Sequence, residues 1–439
     1  DLVDRLPELL WNREDGTDLA VKYRYFQLRT RLFAENFWGQ IADWCGENGL
    51  QLTGHLLREP KLMEQAVNSG DNMVCYSKYQ MPGIDMLCAY REFTTAKQAQ
   101  SAVHQYGREA MMSELYGVTG WNFDFRGHKL HGDWQAALGV TVRVPHLAWL
   151  SMKGEAKRDY PAAIGYQSPW YREYPYIEDH FARLNTVLTR GTPIVRIGVV
   201  HPVESMWLLS GPVSQNGLRR QTLEDEFLNV TNWLLESQLD FDYICEGLIP
   251  ELRKTEDPAA MGAMRYDAVV VPGCLTLRQS TVQWLEDFRK NGGKVLFLGN
   301  CPAYVDGVKS DLCRDLFRQA EKVLPDKTAI VRALEDVRCV GIRKEDGKAD
   351  PDHIYQYRQD TDCRWLFIAR GTEPGTSKTR VSQMDVLQPD GLILTLQGSF
   401  SAEEYDTLTG QVRPVACTCE NGVTRIQRVM HGCDSLLLR

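Results

Sequence analysis

Two carboxylates stand where acid–base or nucleophilic work could be done. Glu114 follows the run Ala110–Met111–Met112–Ser113, and Asp85 follows the turn Pro82–Gly83–Ile84. A carboxylate set directly after an apolar strand costs free energy unless it is exposed or paired. Two such groups can break a glycosidic bond: one protonates the leaving oxygen, the other attacks or activates water. Glu114 is the first candidate, as nucleophile or general base, and Asp85 is the second. The plainer readings are a Glu bonded at a helix N-terminus and an Asp in a turn or cap.

His55 and His146 end two further strand-like runs, and Glu59 comes close after His55. Their ring N–H groups could donate to hydroxyls. The aromatics Tyr116, Trp121, Trp149 and Trp170 lie near the same ends. Sugar rings present C–H faces that stack on such side chains; core packing is the competing use. No metal or other cofactor is expected: Cys417–Thr418–Cys419 has no second pair nearby to complete a zinc site.

These ends need a scaffold. Residues 1–190 alternate helix and strand. Phe26, Leu28, Leu32, Phe33, Phe37, Ile41 and Trp44 recur at helical spacing over 21–48, and further helices are expected near 61–68, 96–106, 128–138 and 177–189. Strands fall near 50–56, 81–87, 108–115 and 140–147. Strands separated by helices imply parallel pairing with right-handed crossovers. Four strands are half of a (β/α)₈ barrel or an open sheet with large loops; of the two, the C-terminal part of a TIM-type barrel is expected. Barrel enzymes place their chemistry at the carboxyl ends of the strands, where all four polar residues lie.

Residues 191–326 read as a flavodoxin-like doubly wound α/β domain. Strands are expected over 193–200, 241–245, 267–271 and 294–299, with helices over 223–237, 281–290 and 311–324. Residues 327–439 read as an all-β sandwich, with strands near 337–342, 353–358, 364–369, 378–386, 391–396, 412–418, 422–428 and 435–438. Asp346–Gly347, Asp390–Gly391 and Asn421–Gly422 supply turns. The overall class is α/β with a β domain.

The chain has 439 residues and a net charge of −8. That charge disfavours a nucleic-acid partner, whose phosphates need a basic face, and suits a neutral carbohydrate. No apolar run is long enough for a membrane span. The twelve dispersed cysteines form no disulfide framework, which favours a reducing, cytoplasmic setting. The α/β domain is a candidate homo-oligomer contact. In it, Gly299–Asn300–Cys301–Pro302 and Pro272–Gly273–Cys274–Leu275 superficially fit the nucleophile turn of class I glutamine amidotransferases. Each lacks the glycine two residues after Cys and a later His-x-Glu, so an inert domain is expected.

The order barrel, amidotransferase-like domain, β domain resembles the glycoside hydrolase family 42 β-galactosidases. The segment Ser113–Glu114–Leu115–Tyr116–Gly117 through Gly132–Asp133–Trp134, with His146–Leu147, Lys157–Arg158–Asp159–Tyr160–Pro161 and Ser168–Pro169–Trp170, resembles large bacterial proteins near the family 106 α-L-rhamnosidases. The first resemblance implies a clan-A-like barrel, in which a Glu ending strand seven is the nucleophile and one ending strand four the acid/base. If the four strands are five to eight, Glu114 ends strand seven, and its acid/base partner is Asp85 or lies outside this chain. Family 106-type enzymes are inverting and associated with calcium. A non-catalytic carbohydrate-binding or scaffold protein would keep the aromatics without needing paired carboxylates.

Overall fold

A computed structural model describes residues 2–87, 91–155, 160–371 and 389–439. The first part carries four short parallel strands: β1 (Thr53–Gly54), β2 (Met81–Met86), β3 (Met112–Leu115) and β4 (Val142–Pro145). They lie side by side in chain order. Helices Leu62–Asn68 and Asn72–Tyr76, then Thr94–Tyr106, then Phe125–Ala137 make the crossovers, and Pro175–Leu188 follows β4. Sequential order with a helix at each crossing gives a curled half-barrel sheet. Neither β1 nor β4 pairs with a further strand among the described residues.

Glycine permits the tightest strand contact. A Cβ on Gly83 would stand 2.4 Å from the Gly54 carbonyl oxygen and 2.7 Å from Met112 Cε. The helix Phe125–Ala137 starts where the Asp124 carboxylate accepts from the amides of Arg126 and Gly127. The helix after β2 has no side-chain cap from its N-cap residue, Phe93. Glu92 accepts from the backbone amides of Thr94 and Thr95 instead.

The long first helix departs from its expectation twice. It runs from Asp18 to Glu47, but a π-helical stretch, Ala34–Gly39, interrupts it and rotates the second half against the first. Phe26 is buried, yet Leu28, Leu32, Phe37, Ile41 and Trp44 are exposed by 37% to 58%. The helical spacing is real, and nothing described here covers most of that face.

The second part is a parallel sheet of β5 (Ile197–Val200), β6 (Phe241–Ile244), β7 (Ala268–Val271), β8 (Lys294–Leu298) and β9 (Glu321–Val323), in the order β9-β8-β7-β5-β6. Two expectations are corrected. The run 193–200 is split: Thr192–Pro193 pairs with the third part, and the α/β strand begins at Ile197. The span 311–324 holds a helix, Cys313–Gln319, and then β9.

The third part stacks two antiparallel sheets. One has the order β10 (Val340–Lys344), β13 (Asp390–Gln397), β17 (Val423–Met430), β16 (Cys417–Glu420). The other runs β15 (Val412–Val415), β14 (Ala402–Tyr405), β18 (Ser435–Leu438), β12 (Arg364–Arg370), β11 (His353–Gln359), then Thr192–Pro193 at its edge. The expected strand 378–386 lies outside the described residues. Strand β14 escapes a propensity reading because Ala-Glu-Glu-Tyr is poor β sequence. Val340, Ile342, Leu366, Ile368, Leu392, Leu394 and Ile426 fill the space between the sheets.

One continuous core runs from Tyr23, Ile84 and Met111 through Val269 and Val270 to Trp365 and Phe367. The three parts therefore share their packing. The helix Phe125–Ala137 lies against β12 and β11, and its Asp133 takes hydrogen bonds from His180 (2.7 Å) and Lys129 (2.5 Å). No described helix is long and apolar enough to cross a membrane.

Candidate active site

Parallel register sets the site. Asp85 pairs with Glu114, and Glu114 with Val144. Paired residues of a sheet project from the same face, so the two carboxylates stand side by side at the carboxyl ends of β2 and β3. His55, just past β1, completes the group. Its Nε2 lies 3.1 Å from Glu114 Oε2, and its Nδ1 lies 2.8 Å from the Leu56 carbonyl oxygen. One polar atom from each of His55, Asp85 and Glu114 lies within 4.8 Å of the other two. Burial lowers the imidazole's proton affinity. The Leu56 carbonyl and the neighbouring acidic groups, Asp85 first, outweigh it, so the net shift is upward. A carbonyl on one nitrogen and a carboxylate on the other is the environment of a ring that donates from both sides.

This trio could also bridge a metal ion. Calcium takes six to eight oxygen ligands. The chain offers two carboxylates and an imidazole nitrogen, which is not a calcium cradle. The calcium that the family 106 resemblance implies therefore finds no matching donor set in this trio.

Glu59 lies beneath the site and not on its surface. It is buried, with its carboxyl group taking the Leu56 amide at 2.9 Å and the Tyr76 hydroxyl. Burial pushes it up to about 8, so it is protonated near neutrality. Tyr116 also departs from the expected position at the pocket wall. Two residues after Glu114, strand alternation would keep it on the same face, but its φ of 79° turns the chain. Its ring is buried at 4.6 Å from His128, and its hydroxyl accepts from Arg143 Nη1 at 3.2 Å.

His146 stands two residues beyond Val144. Gly117 makes room for it: a Cβ there would meet His146 Nδ1 at 2.6 Å. Tyr160, exposed, meets the His146 ring edge-on at 6.0 Å between centroids. Trp121 and Trp149 lie 5.4 Å apart, with Trp121 well exposed. Their rings form an aromatic ledge of the kind a sugar face can lie on. Trp170 instead packs with Phe125 at 5.3 Å and Tyr174 at 5.9 Å, half-buried. The loop 153–161 is described at Lys153–Glu155 and from Tyr160; its centre lies outside the described residues.

Sequence reasoning gave no role to Arg143, Tyr76, Gly117 or Tyr160, although Gly117 and Tyr160 lie in the segments that carry the resemblance. Arg143 left a readable signal, a charge on the helix-facing side of Val142–Arg143–Val144, where it pairs with Glu178 at 2.6 Å. Tyr76 and Gly117 left none, because their roles depend on partners distant in the chain.

The cysteine alternative finds no support in geometry. Cys274 is buried and its thiol is raised well above its ordinary range by burial. Cys301 contacts the Pro302 carbonyl. Among the described residues no histidine hydrogen-bonds to either thiol, as nucleophile activation would need.

No family model matches the chain. A curated protein of Formosa agariphila carrying the provisional name beta-glucuronidase is 24% identical over 307 residues, which is 67% of this chain and 24% of that protein. Among solved structures, a rhamnosidase from Novosphingobium sp. PP1Y superposes with a TM-score of 0.71 at 15% identity, over 96% of this chain and 40% of the other. A beta-galactosidase from Bacillus circulans sp. alkalophilus gives 0.60 at 11% identity, over 96% and 68%. An exo-carrageenase of the GH42 class from Bacteroides ovatus gives 0.57 at 13%, over 94% and 56%. The chain thus spans about a quarter of the curated relative and 40% of the rhamnosidase. The shared fold is that of glycosidases, in line with the resemblance read from the sequence.

Proposed function

We propose that this chain supplies part of the active site of a glycoside hydrolase, with Glu114 as nucleophile or general base. The observation that carries this reading is the in-register pair Asp85–Glu114, joined by His55, at the carboxyl ends of parallel strands. Residues 1–190 would then be the second half of a barrel, followed by an α/β domain over 191–326 and a β-sandwich over 327–439.

The geometry favours one division of labour. Two carboxyls on neighbouring strands meet a sugar from the same side. An acid and a nucleophile must flank the glycosidic bond, about 5–5.5 Å apart for retention or 6.5–9.5 Å for inversion. The acid partner of Glu114 is therefore assigned to a strand across the barrel, outside this chain. Asp85 stands beside Glu114 in register, and His55 holds the Oε2 of Glu114. A protonated His55 would stabilise the carboxylate form that attacks or takes a proton. Trp121 and Trp149 would carry the sugar face, and His146 would donate to a hydroxyl. Tyr116, Glu59 and Trp170 would act through the residues they support.

The test is hydrolysis of aryl glycosides, including galactosides, rhamnosides and glucuronides of both anomers, by a protein with the barrel complete. One sugar should be cleaved, and Glu114→Gln should lower kcat by about a thousandfold or more. Undiminished activity in that variant would remove Glu114 from the mechanism. Binding of a sugar without cleavage, disturbed by Trp121→Ala, would favour a carbohydrate-binding protein.

A further inference from the structure

A second cleft opens at the other end of the same strands, where all three parts of the chain meet. It encloses about 450 Å³, within the roughly 300–1,000 Å³ of small-molecule sites. Arg108 comes from the turn before β3, Arg196 from the entry to β5, Arg265 from the approach to β7 and Arg358 from β11. Among its described lining residues, Glu109 is the carboxylate set against these four guanidinium groups.

Two of the four already have counter-charges: Arg196 pairs with Asp267 and Arg265 with Asp257. The other two form no ion pair among the described residues, although Asp360 acts on Arg358 from a distance. Arg358 gives Nε to the Arg190 carbonyl at 2.7 Å and Nη2 to the Gly191 carbonyl at 3.0 Å. Asp360, close along the strand, is held by Arg190 at 2.6 Å. Burial lowers the Arg358 guanidinium to about 10. Arg108 reaches the Ser77 carbonyl with Nη2 at 3.3 Å and leaves its buried Nε without a partner. Gln100, 1% exposed, has no acceptor for Nε2, and Gln356, 2% exposed, has no donor for Oε1.

A half-buried cation without an anion, beside buried donors without acceptors, costs free energy until something fills both needs. An oxyanion supplies acceptors to guanidinium forks. A hydroxyl on the same molecule supplies the donor that Gln356 lacks. We propose that this cleft binds a small hydroxylated oxyanion, such as a sugar carrying a carboxylate, sulfate or phosphate group, with Arg358 and Arg108 on the charge and Gln356 on a hydroxyl. The site is separate from Glu114 and does not depend on the glycosidase reading. Its ligand would tie the barrel part, the α/β part and the sandwich together.

The protein is titrated calorimetrically with sodium glucuronate, inorganic phosphate, inorganic sulfate and neutral glucose, at an ionic strength fixed with sodium chloride. Melting temperature is followed in parallel. Saturable heat from glucuronate, or from either inorganic anion, with a matching rise in melting temperature is expected. Glucose should give none. Saturation by glucuronate alone identifies a sugar acid; equal saturation by phosphate or sulfate identifies the bare oxyanion as sufficient. Affinity should fall at least about tenfold in both Arg358→Gln and Arg108→Gln. Arg358→Lys, which keeps the charge but not the fork, serves if Arg358→Gln is poorly folded. No saturable heat in the wild type, or heat unchanged in the Arg108 and Arg358 variants, overturns the proposal. So does a melting rise that only climbs with sulfate without saturating, since excluded salts stabilise proteins generally.

Discussion

Glu114 and His55 stand 3.1 Å apart, and each sets what the other can do. The Leu56 carbonyl, and after it the acidic groups around the imidazole, raise it above its ordinary 6.5 despite burial. A group raised in the folded state adds stability that is fully present below its unfolded value and is lost as pH rises through the folded one. The His55 resonances followed by NMR should therefore titrate above 6.5, and Glu114→Gln and Asp85→Asn should each bring the midpoint down. A wild-type midpoint at or below 6.5 would mean the trio does not hold together in solution. The four strand-end residues were legible because polar groups directly after apolar runs are costly unless used. Tyr116 was misread for a specific reason. Alternation assumes an extended backbone, and a φ of 79° ends that assumption one residue past β3. Glu59 was misread because its burial comes from Tyr76, seventeen residues on.

Among the elements, the α/β sheet was legible in its apolar strands but not in what fills its mouth. The carboxyl ends of β5 and β6, where such folds commonly take ligands, are occupied by the chain's own residues. Tyr23 of the first helix donates to Glu204 at 2.7 Å, Arg278 pairs with Glu204 at 2.6 Å, and the Arg278 amide meets Glu246 at 2.6 Å. Asp71 accepts from the Cys245 thiol at 3.2 Å. No spacing in the sequence brings these residues together; they meet where the first part, through Tyr23 and Asp71, docks on the α/β part. The acids outnumber the one arginine, and burial pushes Glu246 up to about 8 and Asp71 to about 6. Below the ordinary value of 4.5 for Glu246, folded and unfolded states both hold the proton. Between that value and about 8 the folded state keeps a proton that the unfolded state has released, so stability falls as pH rises across this window. The melting temperature should decline from about pH 5 to 8, and Glu246→Gln, which keeps the neutral shape, should flatten that decline. An equal slope in the variant would place the titrating group elsewhere.

At the scale of the whole molecule, one apolar face of the described residues stands without a cover. The four-stranded sheet ends at β1 and β4 without further partners among the described residues, and a closed barrel needs eight strands. Along the first helix, Leu28, Leu32, Phe37, Ile41 and Trp44 stand open, although their spacing is that of a core-facing stripe. Unpaired strand edges and contiguous apolar surface attract further chains. The sequence showed the stripe and the strand count. It could not show that the stripe is left bare, because burial belongs to the assembly and not to the spacing. This chain alone should therefore self-associate, seen as a concentration-dependent mass in light scattering, and should bind a hydrophobic dye. Phe37→Glu with Trp44→Lys should reduce both while leaving far-ultraviolet circular dichroism unchanged, since neither side chain is part of the described core. Supplying the remaining strands in one polypeptide should reduce both in the same way. If the wild type stays monomeric and does not bind the dye, no further layer is called for over this face. The Glu114 site would then have to act with the carboxylates this chain already carries.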